Sequence, residues 1–191
     1  MKRLSRRTPV LAAALLAGAA LLTGCGNGGS DSASSSVPEG WKTLEGPTVS
    51  LAYPKGFTEQ SDAERSEQND AVATRKEGGR YVALISIQSD FSEVGNAEEA
   101  AIAIEAAVQT TTELKDTTDV TVKGTDAAKR VNFGYESTGE NQTPQRGATV
   151  EGSVITGVDS NGKIFSVRID AQKGKLSPAD QKQIIETISV K

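Results

Sequence analysis

From Trp41 onward the chain places apolar and polar side chains in alternation over short runs, the two-residue period of half-buried β-strands. WKTLE and TVSLAY are the first two runs, separated by a Gly46-Pro47 turn, and Val49, Leu51 and Tyr53 fall on one face. Pro54 cannot donate to a strand ladder and closes the second run. AVATRKE and YVALISI flank Gly78-Gly79 as a hairpin; the near-continuous apolar character of the latter predicts a central strand covered on both faces. The period then changes. Ala97, Ala100, Ala101, Ile104, Ala107, Val108, Thr111 and Leu114 follow helical spacing and predict an amphipathic helix of about five turns. Asn96 is a suitable N-cap, and Glu98 and Glu99 suit the positive end of the helix dipole.

Three further strands are expected in DVTVKG, AKRVNFGYES and GATVEGSVITGVD, the last turning at Ser160-Asn161-Gly162 into KIFSVRIDAQ. Asn-Gly between alternating runs is a strong hairpin signal. Glu136 to Gln145 reads as an exposed loop between strands. Ser177-Pro178, a cap followed by proline at the first helical position, opens a second helix that buries Ile184, Ile185 and Ile188. A strand pair, a hairpin, a long helix, an antiparallel run and a closing helix make an α+β sandwich, an αβα arrangement with one mostly antiparallel sheet and two main helices.

Three segments carry a resemblance: Tyr53-Pro54-Lys55-Gly56-Phe57 after a Trp-led strand, GTDAAKRVNFGY from Gly124 to Tyr135, and the terminal SPADQKQIIETI. They resemble the PsbP-like fold, named for the extrinsic photosystem II subunit and shared with a Ran-binding nuclear import factor and actinobacterial lipoproteins of the LpqN type. The resemblance spans nearly all of residues 41–191. It implies a domain that works by binding other macromolecules, without generally recognised catalytic residues, so no active site is carried over.

The front of the chain follows different rules. Lys2, Arg3, Arg6 and Arg7 precede an apolar run from Val10 to Leu22, the charged and hydrophobic regions of a secretory signal, too short for a membrane span of about 20 apolar residues. Arg6-Arg7 after Ser5 is compatible with a twin-arginine signal, although Pro9 stands where that signal usually carries a large apolar residue, so the export route stays open. Leu22-Thr23-Gly24-Cys25 resembles the lipobox of bacterial lipoproteins. In that family the cysteine sulfur receives a diacylglycerol and the chain is cut just before it. The expected organisation is therefore a signal peptide over 1–24, a lipidated Cys25 with a Gly/Ser tether over 25–40, and a folded domain over 41–191. The tether GNGGSDSASSS cannot bury enough surface to offset its ordering entropy, and about 15 residues of such coil span roughly 20 Å.

Composition narrows the chemistry. The chain has 21 basic and 25 acidic residues, and loss of the four basic residues of the signal leaves a net charge of −8. That acidity argues against nucleic acid as a partner and against adhesion to anionic headgroups, so the membrane is engaged through the lipid on Cys25. With a single cysteine there is no disulfide framework. Histidine is absent, which removes the commonest general base and transition-metal ligand. No cofactor or metal is implied.

Other candidate residues have plainer explanations. Asp159-Ser160-Asn161-Gly162 looks like the start of a calcium loop with Asp170 at the twelfth position, but the middle acidic ligands are missing and the flanking runs form a hairpin. Ser153 lacks the glycine spacing of a nucleophile elbow. Asp62, Glu64, Glu67 and Asp70 could serve carboxylate-based hydrolysis, yet their polar surroundings read as a solvated face. The sequence thus leads to a non-enzymatic, extracytoplasmic lipoprotein of the cell envelope that binds another protein or an envelope component. Two alternatives remain open: a carrier or sensor of an apolar small molecule held between the sheet and the alanine-lined helix, and a carboxylate hydrolase.

Overall fold

The structure, a computed structural model, describes residues 37–90 and 95–191. The signal segment, Cys25 and the Gly/Ser tract lie outside the described residues.

Among the described residues ten strands and two helices follow in chain order: β1 (Lys42–Glu45), β2 (Val49–Tyr53), β3 (Phe57–Glu59), β4 (Ala71–Glu77), β5 (Arg80–Ser89), α1 (Ala97–Gln109), β6 (Glu113–Val120), β7 (Ala128–Glu136), β8 (Thr149–Val158), β9 (Ile164–Gln172), α2 (Pro178–Glu186) and β10 (Ser189–Val190). Seven strands form an antiparallel sheet in the order β3-β4-β5-β9-β8-β7-β6, and β1-β2-β10 form a small second sheet. The architecture is α+β, with two helices against mostly antiparallel sheet, as the periodicity predicts.

Alternation along each strand divides the large sheet into two unlike faces. On one face Ile85, Ile87, Ile155, Phe165, Val167 and Ile169 pack against Leu44, Val49, Leu51 and Tyr53 of the small sheet and against Ile184, Ile185 and Ile188 at the end of α2. This is the principal core. Thr187 fastens that layer: its hydroxyl accepts a hydrogen bond from the Ala52 amide (2.9 Å) and donates to the Ile184 carbonyl (2.7 Å), joining α2 to β2. On the opposite face α1 sets Ala101, Ile104 and Val108 onto Val131, Phe133 and Val154 of β7 and β8. The small alanine side chains let the helix approach closely, but α1 covers only the β6-β7-β8 half. The β4-β5-β9 half of the same face has no helix over it.

Several boundaries differ from the sequence reading for identifiable reasons. α1 ends at Gln109, so Thr111 and Leu114 are not on the helix; Thr110 to Thr112 form a turn in which the Thr110 and Thr112 hydroxyls donate to the Ala107 (2.8 Å) and Val108 (2.7 Å) carbonyls, and Leu114 packs from β6 instead. β6 begins six residues before the expected DVTVKG run, because an edge strand with exposed charges on both faces shows little alternation. β3 and β10, of three and two residues, are too short to register as periods. β5 is an inner strand of the large sheet, with Ala83, Ile85 and Ile87 buried on the core face and Val82 and Ser86 buried on the other, where Leu84 is half-buried.

Gly124 shows how the C-terminus is anchored. Its φ is +86°, and an added Cβ would lie 2.1 Å from the Val190 carbonyl oxygen, beside the 2.7 Å hydrogen bond from the Val190 amide to the Lys123 carbonyl. A Gly124→Ala substitution is expected to destabilise the domain by about 2–3 kcal/mol, from left-handed strain and loss of this close approach. Urea unfolding checks it, and an unchanged midpoint would contradict this account of the anchor.

At the opposite edge, Lys175 donates to Glu77 at 2.6 Å while Arg75 reaches the same carboxylate at 2.8 Å. The hydrogen bond from Lys175, reinforced by the nearby positive charges, holds the Glu77 carboxyl below the usual glutamate range. A depressed folded-state value contributes stability above the unfolded value, about 4.3, and that contribution fades as pH falls through the folded one. Glu77→Gln should therefore be less stable than wild type near pH 7 and indistinguishable from it near pH 2. A difference that grows with acidity would reverse the sign and sink the assignment.

Candidate functional site

The uncovered half of the α1 face is not left bare. β5, β9 and the end of β7 floor a cleft of about 270 Å³, roofed by residues 141–144 of the loop between β7 and β8 and closed at one end by Asn69. Floor positions on three strands come together because the β7-β8-β9 and β5-β9 registers align them. Asp170 pairs with Gly152 of β8 and Leu84 of β5, and Gly152 pairs with Phe133 of β7.

At the centre of the floor is a charged triad. Arg168 donates to one oxygen of Asp170, Oδ2, through Nε (3.0 Å) and Nη2 (2.8 Å), and the Tyr135 hydroxyl donates to that same oxygen at 3.0 Å. The Asp170 side chain is 11% exposed and that of Arg168 is 39% exposed. The guanidinium also lies 4.9 Å from the centroid of Phe133, whose ring stacks on Tyr135 at 6.3 Å. Gly152 makes this possible: an added Cβ would lie 2.4 Å from the Phe133 ring and 2.8 Å from Asp170 Oδ1. Burial, with the adjacent Asp170 charge, pushes the Tyr135 phenol well above its ordinary range, so it remains a protonated donor. Burial is the largest influence on Arg168 and lowers it, but the charge and hydrogen bonds of Asp170 and the contribution of Tyr135 together outweigh it, and the guanidinium is raised. All three hydrogen bonds fall on Oδ2; Oδ1 of Asp170 is buried, facing Gly152, without a hydrogen-bond partner among the described residues.

The roof corrects the reading of Glu136 to Gln145 as a simply exposed loop. Ser137 is 2% exposed and donates to the Pro144 carbonyl at 2.6 Å; Pro144 is buried. Gln142 donates to the Glu64 carbonyl (3.0 Å) and accepts from Gln60 (2.7 Å), tying the roof to the loop before β4. Asn141 and Gln142 both hold left-handed backbone, with φ of 52° and 65°.

The other sequence candidates fall elsewhere. Asp159 sits in the β8-β9 turn, where Oδ1 accepts from the Asn161 (2.8 Å) and Lys163 (2.9 Å) amides, a turn-closing role. Asp170, its supposed calcium partner, belongs to the triad in the cleft, so the two are not brought together. Ser153 is 1% exposed on the core face, where it donates to Asn132 (2.6 Å) and accepts from Arg130 (3.1 Å) and Gln181 (3.2 Å). That network is a packing device between β7, β8 and α2. Asp62 pairs with Arg65, and Glu64 caps Ser61 through its backbone amide (2.9 Å), the hydrogen bond that lowers its carboxyl. Glu67 is exposed and Asp70 half-buried at the start of β4. The seam between α1 and the sheet is filled by side chains, so the cleft lies beside the helix and not under it. Arg168 was missed by sequence reasoning; the usable signal was VRID in β9, where Arg168 and Asp170 share a face between buried Val167 and Ile169.

No protein-family model matches the chain, and no curated protein sequence does. Solved structures similar to it include LpqN of Mycobacterium tuberculosis, described as involved in cell envelope biogenesis, at 12% identity over 78% of this chain and 91% of LpqN, with a TM-score of 0.48. The cyanobacterial PsbP protein CyanoP of Synechocystis sp. PCC 6803 is similar at 13% identity over 87% of this chain and 99% of CyanoP, with a TM-score of 0.46. A Bacteroides thetaiotaomicron protein is similar at 14% identity and a TM-score of 0.46; the match covers 80% of this chain but 49% of that protein. Of the three kinds of protein named by the sequence resemblance, the PsbP and LpqN kinds are among those similar to the chain.

Proposed function

We propose that the chain is a cell-envelope lipoprotein, anchored through lipid on Cys25, whose domain binds another protein or an envelope component without catalysing a reaction on it. The observation that carries the binding reading is the self-neutralised triad on the cleft floor. Arg168, Asp170 and Tyr135 are committed to one another on rigid strands, an arrangement suited to holding a shape and a hydrogen-bonding pattern. A general acid–base pair would need a group poised near the working pH, and Tyr135 is shifted away from that range. The anchor reading rests on the sequence, where the basic cluster, the short apolar run, Leu22-Thr23-Gly24-Cys25 and the polar tract stand in register. No described helix is long and apolar enough to cross a membrane.

A photo-crosslinking residue at Gln142, on the cleft roof, or at Ile102, exposed on α1, tests this in native membranes. Capture of one envelope component from either position, reproduced with purified components, supports the reading. Hydrolytic turnover by the purified protein, abolished by Asp170→Asn or by Glu64→Gln, would overturn it.

A further inference from the structure

The cleft floor is charged yet carries no net charge, because Asp170 answers Arg168 at 2.8 Å. The pairing leaves no net charge on the floor to select a ligand of either sign, while Nη1 of Arg168, which makes no hydrogen bond with the described residues, is a donor that a carbonyl can use. The other available groups are neutral. The side-chain amides of Asn69, Gln88 and Asn141 and the hydroxyl of Ser86 line the cleft, and none of the four is engaged in a hydrogen bond with the described residues. They come from three different segments, the loop before β4, the strand β5 and the roof, so they surround the space and do not form a single patch. Beside them Leu84 and Pro144 give the cleft apolar contact. The one aromatic ring of the lining, Tyr135, stacks on Phe133 and donates its hydroxyl to Asp170, so it is committed within the protein.

From this lining we infer that the cleft receives an uncharged, extended peptide segment of a partner protein, one or two residues entering between the β5-β9 floor and the roof formed by residues 141–144. Primary amides donate and accept at once, and so match the alternating N–H and C=O groups of a peptide backbone. Leu84 and Pro144 take a small apolar side chain beside those hydrogen bonds. The volume, about 270 Å³, sets the limit of one or two residues. The Gln142 contacts to Gln60 and to the Glu64 carbonyl hold the roof over the floor, so the space is shaped before the segment arrives. This inference rests on the proposed binding role and specifies the partner chemistry within it.

The test uses the purified mature protein in detergent micelles, with amide resonances followed by NMR. The probes are acetyl-Ser-Asn-Ala-Gln-amide, an acidic analogue with Glu at two positions, a basic analogue with Lys at two positions, and N-acetylglucosamine. The expected result is saturable shifts of the side-chain amides of Asn69, Gln88 and Asn141 with the uncharged peptide, at an affinity near 1 mM, and at least tenfold weaker shifts with the other three. Gln88→Leu should weaken the uncharged peptide at least tenfold. Asn141→Gly, on the exposed roof, removes the amide while accepting the left-handed backbone, and should weaken the uncharged peptide in the same way. Shifts that favour a charged peptide or the sugar, or no shift of these amides with the uncharged peptide at about 10 mM, would overturn the site. Crosslinking then separates the two claims: capture from Ile102 together with no peptide shifts leaves the envelope-binding role standing and removes this cleft from it.

Discussion

Replacing Cys25 by alanine is expected to abolish the cleaved, membrane-bound form in the native host: the protein either reaches the soluble extracytoplasmic fraction or stays an uncleaved precursor held by its apolar run from Val10 to Leu22. The effect is all-or-none because cleavage removes that run and leaves an acidic chain fronted by a polar tract. The exported chain would carry a net charge of −8, so anionic headgroups repel it. Each buried methylene contributes about 0.8 kcal/mol, and a single acyl chain gives only marginal binding, whereas the diacylglycerol expected on the sulfur supplies two. Cell fractionation with immunodetection checks the prediction. A Cys25→Ala protein that stays cleaved and membrane-bound to the same extent as wild type would show that something other than the sulfur holds it there.

The largest expected loss of stability comes from Phe165→Ala. Phe165 is fully buried in β9, on the core face, and its ring lies over Gly157 of β8, where an added Cβ would be 3.1 Å from Cε1. Truncation removes a large apolar side chain and leaves a cavity between the sheet and the α2 layer, at a cost of about 3–5 kcal/mol. A domain of this kind has roughly 5–15 kcal/mol in total, so the variant should unfold at about 10 °C or more below wild type. Denaturant unfolding should show a lower midpoint with an unchanged slope. A loss below about 1 kcal/mol would mean that the layer repacks around the gap, contrary to the close packing described above.

The sequence made the outline readable where local chemistry decides structure. Gly78-Gly79 and Asn161-Gly162 identify their hairpins because few other residues accept those turns, and Ser177-Pro178 starts α2 because cap and ring geometry are both local. Ile184, Ile185 and Ile188 are buried as their spacing requires. The readable signal weakens where exposure removes the contrast. Glu113–Val120 is an edge strand with the composition of a loop, and the helix expected to continue through Leu114 stops where the Thr110 and Thr112 hydroxyls take up its last carbonyls.

The candidate site was less legible than the fold. Tyr135 and Asp170 are 35 positions apart, and only the register of three strands brings the phenol to the carboxylate. Asp170 also fitted a calcium spacing that the hairpin geometry does not support, since Asp159 turns inward on its own loop. The roof was hidden for a similar reason. STGENQTPQ has every compositional mark of an exposed connection, yet Ser137 is buried by folding back on the Pro144 carbonyl, and Gln142 ties the loop to Gln60 and Glu64, 82 and 78 positions away.

The account turns on whether the lone sulfur carries lipid. Intact-mass analysis of the protein isolated from its native membranes should give a chain starting at Cys25 whose mass exceeds that of the polypeptide by at least a diacylglycerol. A free Cys25 thiol, or a mature terminus elsewhere, would contradict the proposed anchor and with it the placement of the binding cleft beside a membrane.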